Sequence, residues 1–229
     1  KIPSGEITNS ILLDKIKLKN YNVILSTGMS NMKEIVNAIN IISKKQIYKV
    51  IGNKIVIVNN KYLNYIRKKL IVMHCVTDYP VMDQYANLQC INTLQNKLKL
   101  NIGYSDHTKG IIAPIIAVSK GAKVIEKHFT LNKKMSGPDH AASLDPKEFE
   151  EMVKNIRKFE LMNGDGKKTL FKCEKINKKI VRKSLVANKY IKKGDKFTIK
   201  NLTTKRPGSG ICSSHFFNYL NKKSKKNYK

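Results

Sequence analysis

A chain of 229 residues is long enough for one large domain, or one large domain with a small appendage. Its 41% hydrophobic content excludes wholesale disorder, and no apolar run approaches the roughly 18 residues of a membrane-spanning helix. Lys and Arg outnumber Asp and Glu by 45 to 16, a formal charge of +29.

That charge would suit a nucleic-acid partner. The lysines, however, are spread along the chain among many Asn and Ile residues, arginines are few, and interleaved aromatics are absent. The charge therefore reads as the composition of an AT-rich genome, and neither a nucleic-acid nor a membrane partner is expected. Cys75, Cys90, Cys173 and Cys212 show no CxxC spacing, which fits a reducing, cytoplasmic setting better than a disulfide framework or a zinc site.

The opening KIPSGEI reads as the end of a strand running into a polar turn, with no signal-peptide pattern before it. The chain is therefore expected to start inside an element of a longer or processed protein. Residues 23–29 (VILSTGM) form a short buried strand ending in small polar residues. Ser30 is placed to cap a helix carrying Ile35, Ile39 and Ile42. Residues 45–69 are basic and irregular, an insertion or long connection with a short strand at 55–58. A strand at 70–75, a loop with Tyr79-Pro80, and a helix through Leu88, Ile91, Leu94 and Leu98 come next. Residues 101–104 make a strand ending in Ser105-Asp106-His107. An apolar helix at 111–118 tolerates Pro114 in its first turns. A strand at 124–129 carries Glu126-Lys127-His128.

Asp145, Pro146 and Glu148 compose a capping box for a helix with an apolar stripe of Phe149, Met152, Val153, Ile156 and Phe159, which Asn163-Gly164 and Gly166 end. Five strand–helix units in alternation imply a parallel sheet with crossover helices, whose sites lie at the carboxyl ends of the strands. Beyond Lys178, short strand-like pieces broken by residues 192–195 and by Arg206-Pro207-Gly208 read as a small β-rich unit, and residues 222–229 as a polar tail without structure.

Polar residues gather at the strand ends. His107 and His128 lie one strand–helix repeat apart, which puts both imidazoles on one rim of neighbouring strands. Either alone reads as a buried hydrogen-bonded histidine; together they favour a divalent-metal pair with open positions. Ser26, Thr27 and Gly28 suit a phosphate or carboxylate, or an ordinary helix cap. Glu6 is a candidate for binding a sugar hydroxyl or moving a proton, and Asp139 offers a carboxylate on a Gly-Pro loop, or simple turn chemistry.

Taken in order, KIPSGEITN, ILSTGM, MHCVTDYP, GYSDHT, IEKHFT, SGPDHAASLDP, GDGKK, RKSLVA and KRPGSGI resemble the sialic acid synthase family, the N-acetylneuraminate synthases and their legionaminate and pseudaminate relatives. The likeness runs over about residues 1–220. It implies an α/β fold: part of a TIM (β/α)8 barrel, its last five units at 1–165, a linker at 166–178, and a small antifreeze-like (SAF) domain at 179–229, incomplete at its end. The first three barrel units would lie outside this chain, with the family's early glutamate and lysine. The resemblance implies a domain-swapped homodimer that joins phosphoenolpyruvate to an N-acetylated mannose-type amino-sugar, releasing phosphate. It assigns Lys1, Ser4, Ser26 and Ser105 to phosphoenolpyruvate, Glu6 and Asp139 to the amino-sugar, Tyr79 to the substrate pocket, and His107 and His128 to Mn2+ or Mg2+. Arg206 would enter the partner's site, and Thr77 stands at a substrate position where some members carry Asn. Two other readings share these residues: a two-histidine metal-dependent barrel hydrolase, which leaves KRPG and GPDH without a role, and an inactive basic binding fragment. Five units cannot close an eight-strand barrel, so the 229 residues alone are expected to aggregate or to be inactive.

Overall fold

Short aliphatic runs pair in parallel, each separated from the next by at least one helix. The computed structural model describes residues 1–16, 18 and 20–229, and these divide into two compact units, Lys1–Asp165 and Gly166–Lys229. In chain order the first unit holds α1 (Ser10–Lys15), β1 (Val23–Ser26), α2 (Met32–Ser43), β2 (Tyr48–Ile51), β3 (Lys54–Ile57), α3 (Asn60–Ile66), β4 (Leu70–His74), α4 (Gln89–Leu98), β5 (Asn101–Asp106), α5 (Ile112–Ser119), β6 (Ile125–Lys127) and α6 (Pro146–Asn163).

The parallel sheet has the order β1-β4-β5-β6, strictly sequential, and Ile2 adds a further parallel bridge beside Leu25. A sequential order with right-handed crossovers winds in one direction and keeps the helices on one face, as in a barrel. A doubly wound sheet would reverse its order at a switch point. The unit is thus a curled parallel half-barrel. Between α2 and β4, residues 45–69 form the antiparallel β2–β3 hairpin and α3. Asn40 clasps the hairpin by accepting from the Ile47 and Tyr48 N–H groups and donating to the Tyr48 carbonyl. The Tyr48 hydroxyl donates to the Leu98 carbonyl at 2.6 Å.

Strand periodicity of two assigns alternate residues to opposite faces. Val23, Leu25, Leu70, Val72, Ile102 and Tyr104 sit in the main core under the helices. Leu144, Met152 and Ile156 form a second cluster that joins α5 to α6. Phe149 and Val153 on α6, and Ile11 and Leu12 on α1, stay exposed, so the outer flanks of the half-barrel are apolar.

Several local expectations are corrected. Asn31, not Ser30, caps α2: its side chain accepts from the Lys33 and Glu34 N–H groups, and Glu34 accepts in return from the Asn31 N–H. Ser30 belongs to the preceding turn, its N–H donating to the Thr27 carbonyl. Asp145, Pro146 and Glu148 do form the box that opens α6, and Gly164 ends the helix at φ +62.

The second unit contains α7 (Glu174–Val181), β7 (Ser184–Ala187), β8 (Leu202–Lys205) and α8 (Phe216–Tyr219) around Ile191, Phe197 and Leu202. Residues 222–229, expected to be an unstructured tail, are built into it. Tyr228 exchanges backbone hydrogen bonds with Ile191, and Ser224 is buried, its N–H donating to the Asp195 carbonyl. Tyr219 and Tyr228 pack edge-on against Phe197, so aromatic burial holds down a segment whose lysines read as solvent-loving. Among the described residues no helix is long and apolar enough to cross a membrane, and all four cysteines are free.

His74 closes β4, 7% exposed and stacked on Tyr104 at 5.7 Å, with Nε2–H donating to the Ala86 carbonyl at 2.9 Å. Burial pulls its pKa below the ordinary 6.5. The unfolded chain therefore takes up this proton first as pH falls, and the contribution to stability, complete above pH 6.5, is lost on acidification. His74→Gln should flatten the loss of unfolding free energy between pH 6.5 and 5 by at most about 1.4 kcal/mol per pH unit. Urea melts across that range test this; an unchanged slope would refute it.

Candidate active site

The strand face turned away from the helices carries Ser26 and Gly28, Met73 and Cys75, and Gly103 and Ser105, by the same alternation that puts Leu25, Val72 and Tyr104 in the core. At the carboxyl ends of the strands this face turns polar. The β5–β6 register aligns Ser105 with Glu126 and Asp106 with Lys127, so the next residues, His107 and His128, fall opposite one another.

Each aligned pair interacts. The Ser105 hydroxyl donates to Glu126 Oε1 at 2.7 Å, and Lys1 Nζ donates to the same oxygen at 2.8 Å. Lys127 Nζ meets Asp106 Oδ2 at 2.6 Å, both side chains essentially inaccessible, and also reaches the Thr108 carbonyl. Tyr104 OH and the Thr108 N–H donate to the other Asp106 oxygen at 3.0 and 2.9 Å. The His107 and His128 rings stand edge to face, 5.4 Å between centroids. Tyr79, in the loop after β4, tilts over both, 4.2 Å from His107 and 5.5 Å from His128. Asp139 Oδ2 is 3.7 Å from His128 Nδ1. Its loop is tied by the Ser143 N–H and hydroxyl, both donating to the Asp139 carbonyl, and His140 is bound to Thr130 at 2.7 Å.

These contacts set protonation. Burial holds His107 below the usual imidazole range, and nearby His128 adds to that shift. Burial alone would raise Glu126, but hydrogen bonds from Lys1 and Ser105 overcome it and keep the carboxylate ionised more firmly than usual. Partial desolvation raises the Tyr79 phenol.

A second polar cluster lies at the ends of β1 and β4. The Gly28 N–H donates to Ser4 Oγ at 3.0 Å and to Cys75 Sγ at 3.1 Å, and Ser4 Oγ and Cys75 Sγ are 3.3 Å apart. A Cβ at position 28 would collide with Thr77 Oγ1 and approach Ser4 Oγ to 2.9 Å, so only glycine lets these groups converge. The Ser26 hydroxyl is buried with no hydrogen-bond partner among the described residues. A cavity of about 440 Å³ beside this cluster is lined by Thr27, His74, Cys75 and Thr77 among others, and by neither rim histidine.

The donor set fits a divalent ion in one specific way. His107 Nδ1 lies 2.6 Å from the Val76 carbonyl, an acceptor only, so Nδ1 carries the proton and Nε2 keeps its lone pair. Low basicity keeps that nitrogen available as a ligand. No group of three or more His, Cys, Asp or Glu side chains suited to a metal exists among the described residues. His107 and His128 would thus supply two ligands, leaving other positions for water and substrate oxygen.

The structure brings Lys1, Tyr79, Ser105, His107, His128 and Asp139 into one cluster and Ser4 and Thr77 into the neighbouring one, with Ser26 on the same strand face. Glu6, two residues after Ser4, is held locally, its Oε2 accepting from Asn9 Nδ2 at 2.6 Å. Arg206 is exposed just after β8, in the second unit. The sequence puts Asp106, Glu126 and Lys127 at strand ends but assigns no role to them or to Cys75. The sequence signal for Asp106, Glu126 and Lys127 was the alignment of SDH with EKH at a 21-residue offset, which pairs the triplets position by position.

Residues 1–168 match the NeuB family. Over all 229 residues the chain is 47% identical to N,N'-diacetyllegionaminic acid synthase of Campylobacter jejuni, spanning 63% of that protein. It is 38% identical to the synthase of the same name from Legionella pneumophila over 96% of this chain and 57% of that one. Among solved structures, the N-acetylneuraminic acid (sialic acid) synthetase of Leptospira borgpetersenii, crystallised with citrate, superposes with a TM-score of 0.60 at 34% identity, covering 75% of this chain and 53% of the other. The chain therefore spans about three-fifths of the curated relatives it matches.

Breaking the buried pair should be costly. Lys127→Met strands the Asp106 carboxylate in the core, with an expected loss of about 3–5 kcal/mol. The double change Asp106→Asn with Lys127→Met should recover most of it. Denaturant unfolding compares the two; equal losses would show that the pair is uncoupled.

Proposed function

This chain belongs to the NeuB family, and from that premise we propose that its full-length protein joins phosphoenolpyruvate to an N-acetylated mannose-type amino-sugar. The product is a nonulosonic acid of the sialic or legionaminic type, with phosphate released. The observation that carries this reading is the His107–His128 pair beside Ser105, Glu126 and Lys1 on one strand rim. The Campylobacter jejuni relative at 47% identity supports the legionaminic branch.

Lys1 Nζ and Ser105 Oγ converge on one carboxylate oxygen of Glu126, which supports their role as an anion-binding pair. Ser4 and the unpartnered Ser26 hydroxyl extend that surface towards the phosphate and carboxylate of phosphoenolpyruvate. Thr77, Tyr79, Asp139 and Glu6 contact the amino-sugar, Tyr79 covering the imidazoles and Asp139 resting against His128. C3 of phosphoenolpyruvate bonds to the aldehyde carbon of the opened sugar, a water oxygen adds at C2, and the C–O bond to phosphate breaks. His107 and His128 hold Mn2+ or Mg2+, which when bound supplies Lewis-acid polarisation of the aldehyde. The Val76 carbonyl fixes the His107 ring and its tautomer.

We assign residues 166–178 to a linker and 179–229 to an antifreeze-like domain. This domain carries Arg206 into the partner's site of a domain-swapped homodimer. Four free thiols agree with a reducing cytoplasm.

The full-length protein, with phosphoenolpyruvate, Mn2+ and either N-acetylmannosamine or a 2,4-diacetamido sugar, should release phosphate and form a nonulosonic acid in equal amounts. Absence of both products with both sugars would overturn the assignment. His107→Ala should reduce metal-dependent turnover to background; wild-type turnover would remove it as a ligand. Mixing Arg206→Ala with His107→Ala subunits should restore activity through one intact site per mixed dimer, and failure of rescue would argue against contribution in trans.

A further inference from the structure

Of the 45 Lys and Arg residues, 20 lie in the second unit, Gly166–Lys229, with only 2 of the 16 Asp and Glu. At one place these cations surround a cavity. Lys175, Lys178 and Lys179 of α7, with Arg182 and Lys183 just after it, line a space of about 460 Å³, a size that suits a small organic ligand. Gly208, Ser209, Gly210 and Cys212 also line it, and no Asp or Glu does.

Backbone pairing fixes this lining. The Leu185 N–H donates to the Ile211 carbonyl at 2.8 Å and the Ser213 N–H to the Lys183 carbonyl at 3.1 Å, and Ser184 bridges Cys212. Gly210, at φ +116, rests on Ser184 so closely that a Cβ there would come within 3.3 Å of the Ser184 Cβ. Cations in the last turn of α7 meet the negative end of its dipole, which accounts for Lys178 and Lys179. Lys175 sits in the first turn, where that dipole disfavours a cation, and dipole compensation does not explain it. Five like charges around one concavity, with no carboxylate in its lining, form a site that an anion would stabilise. The Gly-Ser-Gly loop keeps its backbone uncrowded, and Arg182 offers the planar fork that matches a phosphate.

We propose that this cavity binds a small anion bearing two or more phosphate groups, held by Lys178, Arg182 and Lys183 against the 208–210 loop, beside Cys212. The site lies wholly within the second unit. Cys212 supplies the means to observe it. The Ser214 hydroxyl donates to its sulfur at 3.2 Å, and this bond, aided by the Arg182 and Lys178 charges, draws the thiol below its ordinary pKa. Cys173 is exposed and outside the lining, which makes it an internal reference.

The test follows alkylation of both thiols by iodoacetamide in the full chain, read by peptide mass spectrometry at constant ionic strength. Inorganic pyrophosphate at ten times its dissociation constant should slow Cys212 about tenfold and leave Cys173 unchanged. The ratio of the rate with pyrophosphate to the rate without it should rise to one in Lys178→Gln with Arg182→Gln. It should persist in Lys192→Gln with Lys193→Gln, which removes the same charge outside the cavity. Equal protection by ADP confines recognition to the phosphates, and stronger protection by ADP extends it to a nucleotide; both sustain the site. Equal slowing of both cysteines, equal protection by sulfate, protection that survives loss of Lys178 and Arg182, or stronger protection by a single-stranded oligonucleotide would overturn it.

Discussion

The buried ion pair between Lys127 and Asp106 is the contact on which the candidate site depends. It joins the last residues of two adjacent parallel strands at 2.6 Å, and the remaining Asp106 oxygen is satisfied by Tyr104 and the Thr108 backbone. A pair so enclosed adds little net stability compared with an apolar substitute, but it penalises any displacement of one partner. It therefore holds the β5–β6 register, and the register in turn sets Ser105 against Glu126 and His107 against His128. The charges face the helices and the reactive groups face away from them, because neighbouring residues on a strand point to opposite sides.

The same strand geometry separates stability from chemistry. Leu25, Val72, Ile102 and Tyr104 are covered by helices, while Ser26, Gly28, Cys75 and Ser105 share the opposite face. Gly28 is the clearest case of a residue selected for absence of volume, since any side chain would fill the space where Ser4, Cys75 and Thr77 meet. The polar rim is well determined even though α1 and α6 leave apolar residues exposed on the outer flanks.

Charge is distributed unevenly between the two units. The first carries most of the acids, and each one engaged at the rim has a named partner: Glu126 with Lys1 and Ser105, Asp106 with Lys127, Asp139 near His128. The second is overwhelmingly basic, and its cations converge where the chain after α7 meets the 208–210 loop. Abundant lysine by itself does not arrange five cations around one carboxylate-free cavity. The free thiol at Cys212 lies within that field.

Much of the first unit was legible in the sequence because its signals are local. Alternation of strand and helix, the Asp145-Pro146-Glu148 box and the polar strand ends each depend on residues a few positions apart. Legibility failed where partners are distant or competing: Asn31 displaced Ser30 as a cap because only Asn31 exchanges hydrogen bonds with Glu34. Residues 222–229 looked like a solvated tail because lysines dominate them, and only their pairing with residues 191–197 shows Tyr228 packed on the small core and Ser224 buried. The sequence by itself determined the parallel α/β architecture and the rim on which polar groups gather, since periodicity and spacing encode both. The tertiary structure alone decided that Asp106 and Lys127 form the buried tie and that Lys1 and Ser105 share one oxygen of Glu126. Those outcomes depend on contacts between segments up to 125 residues apart, which no local pattern contains.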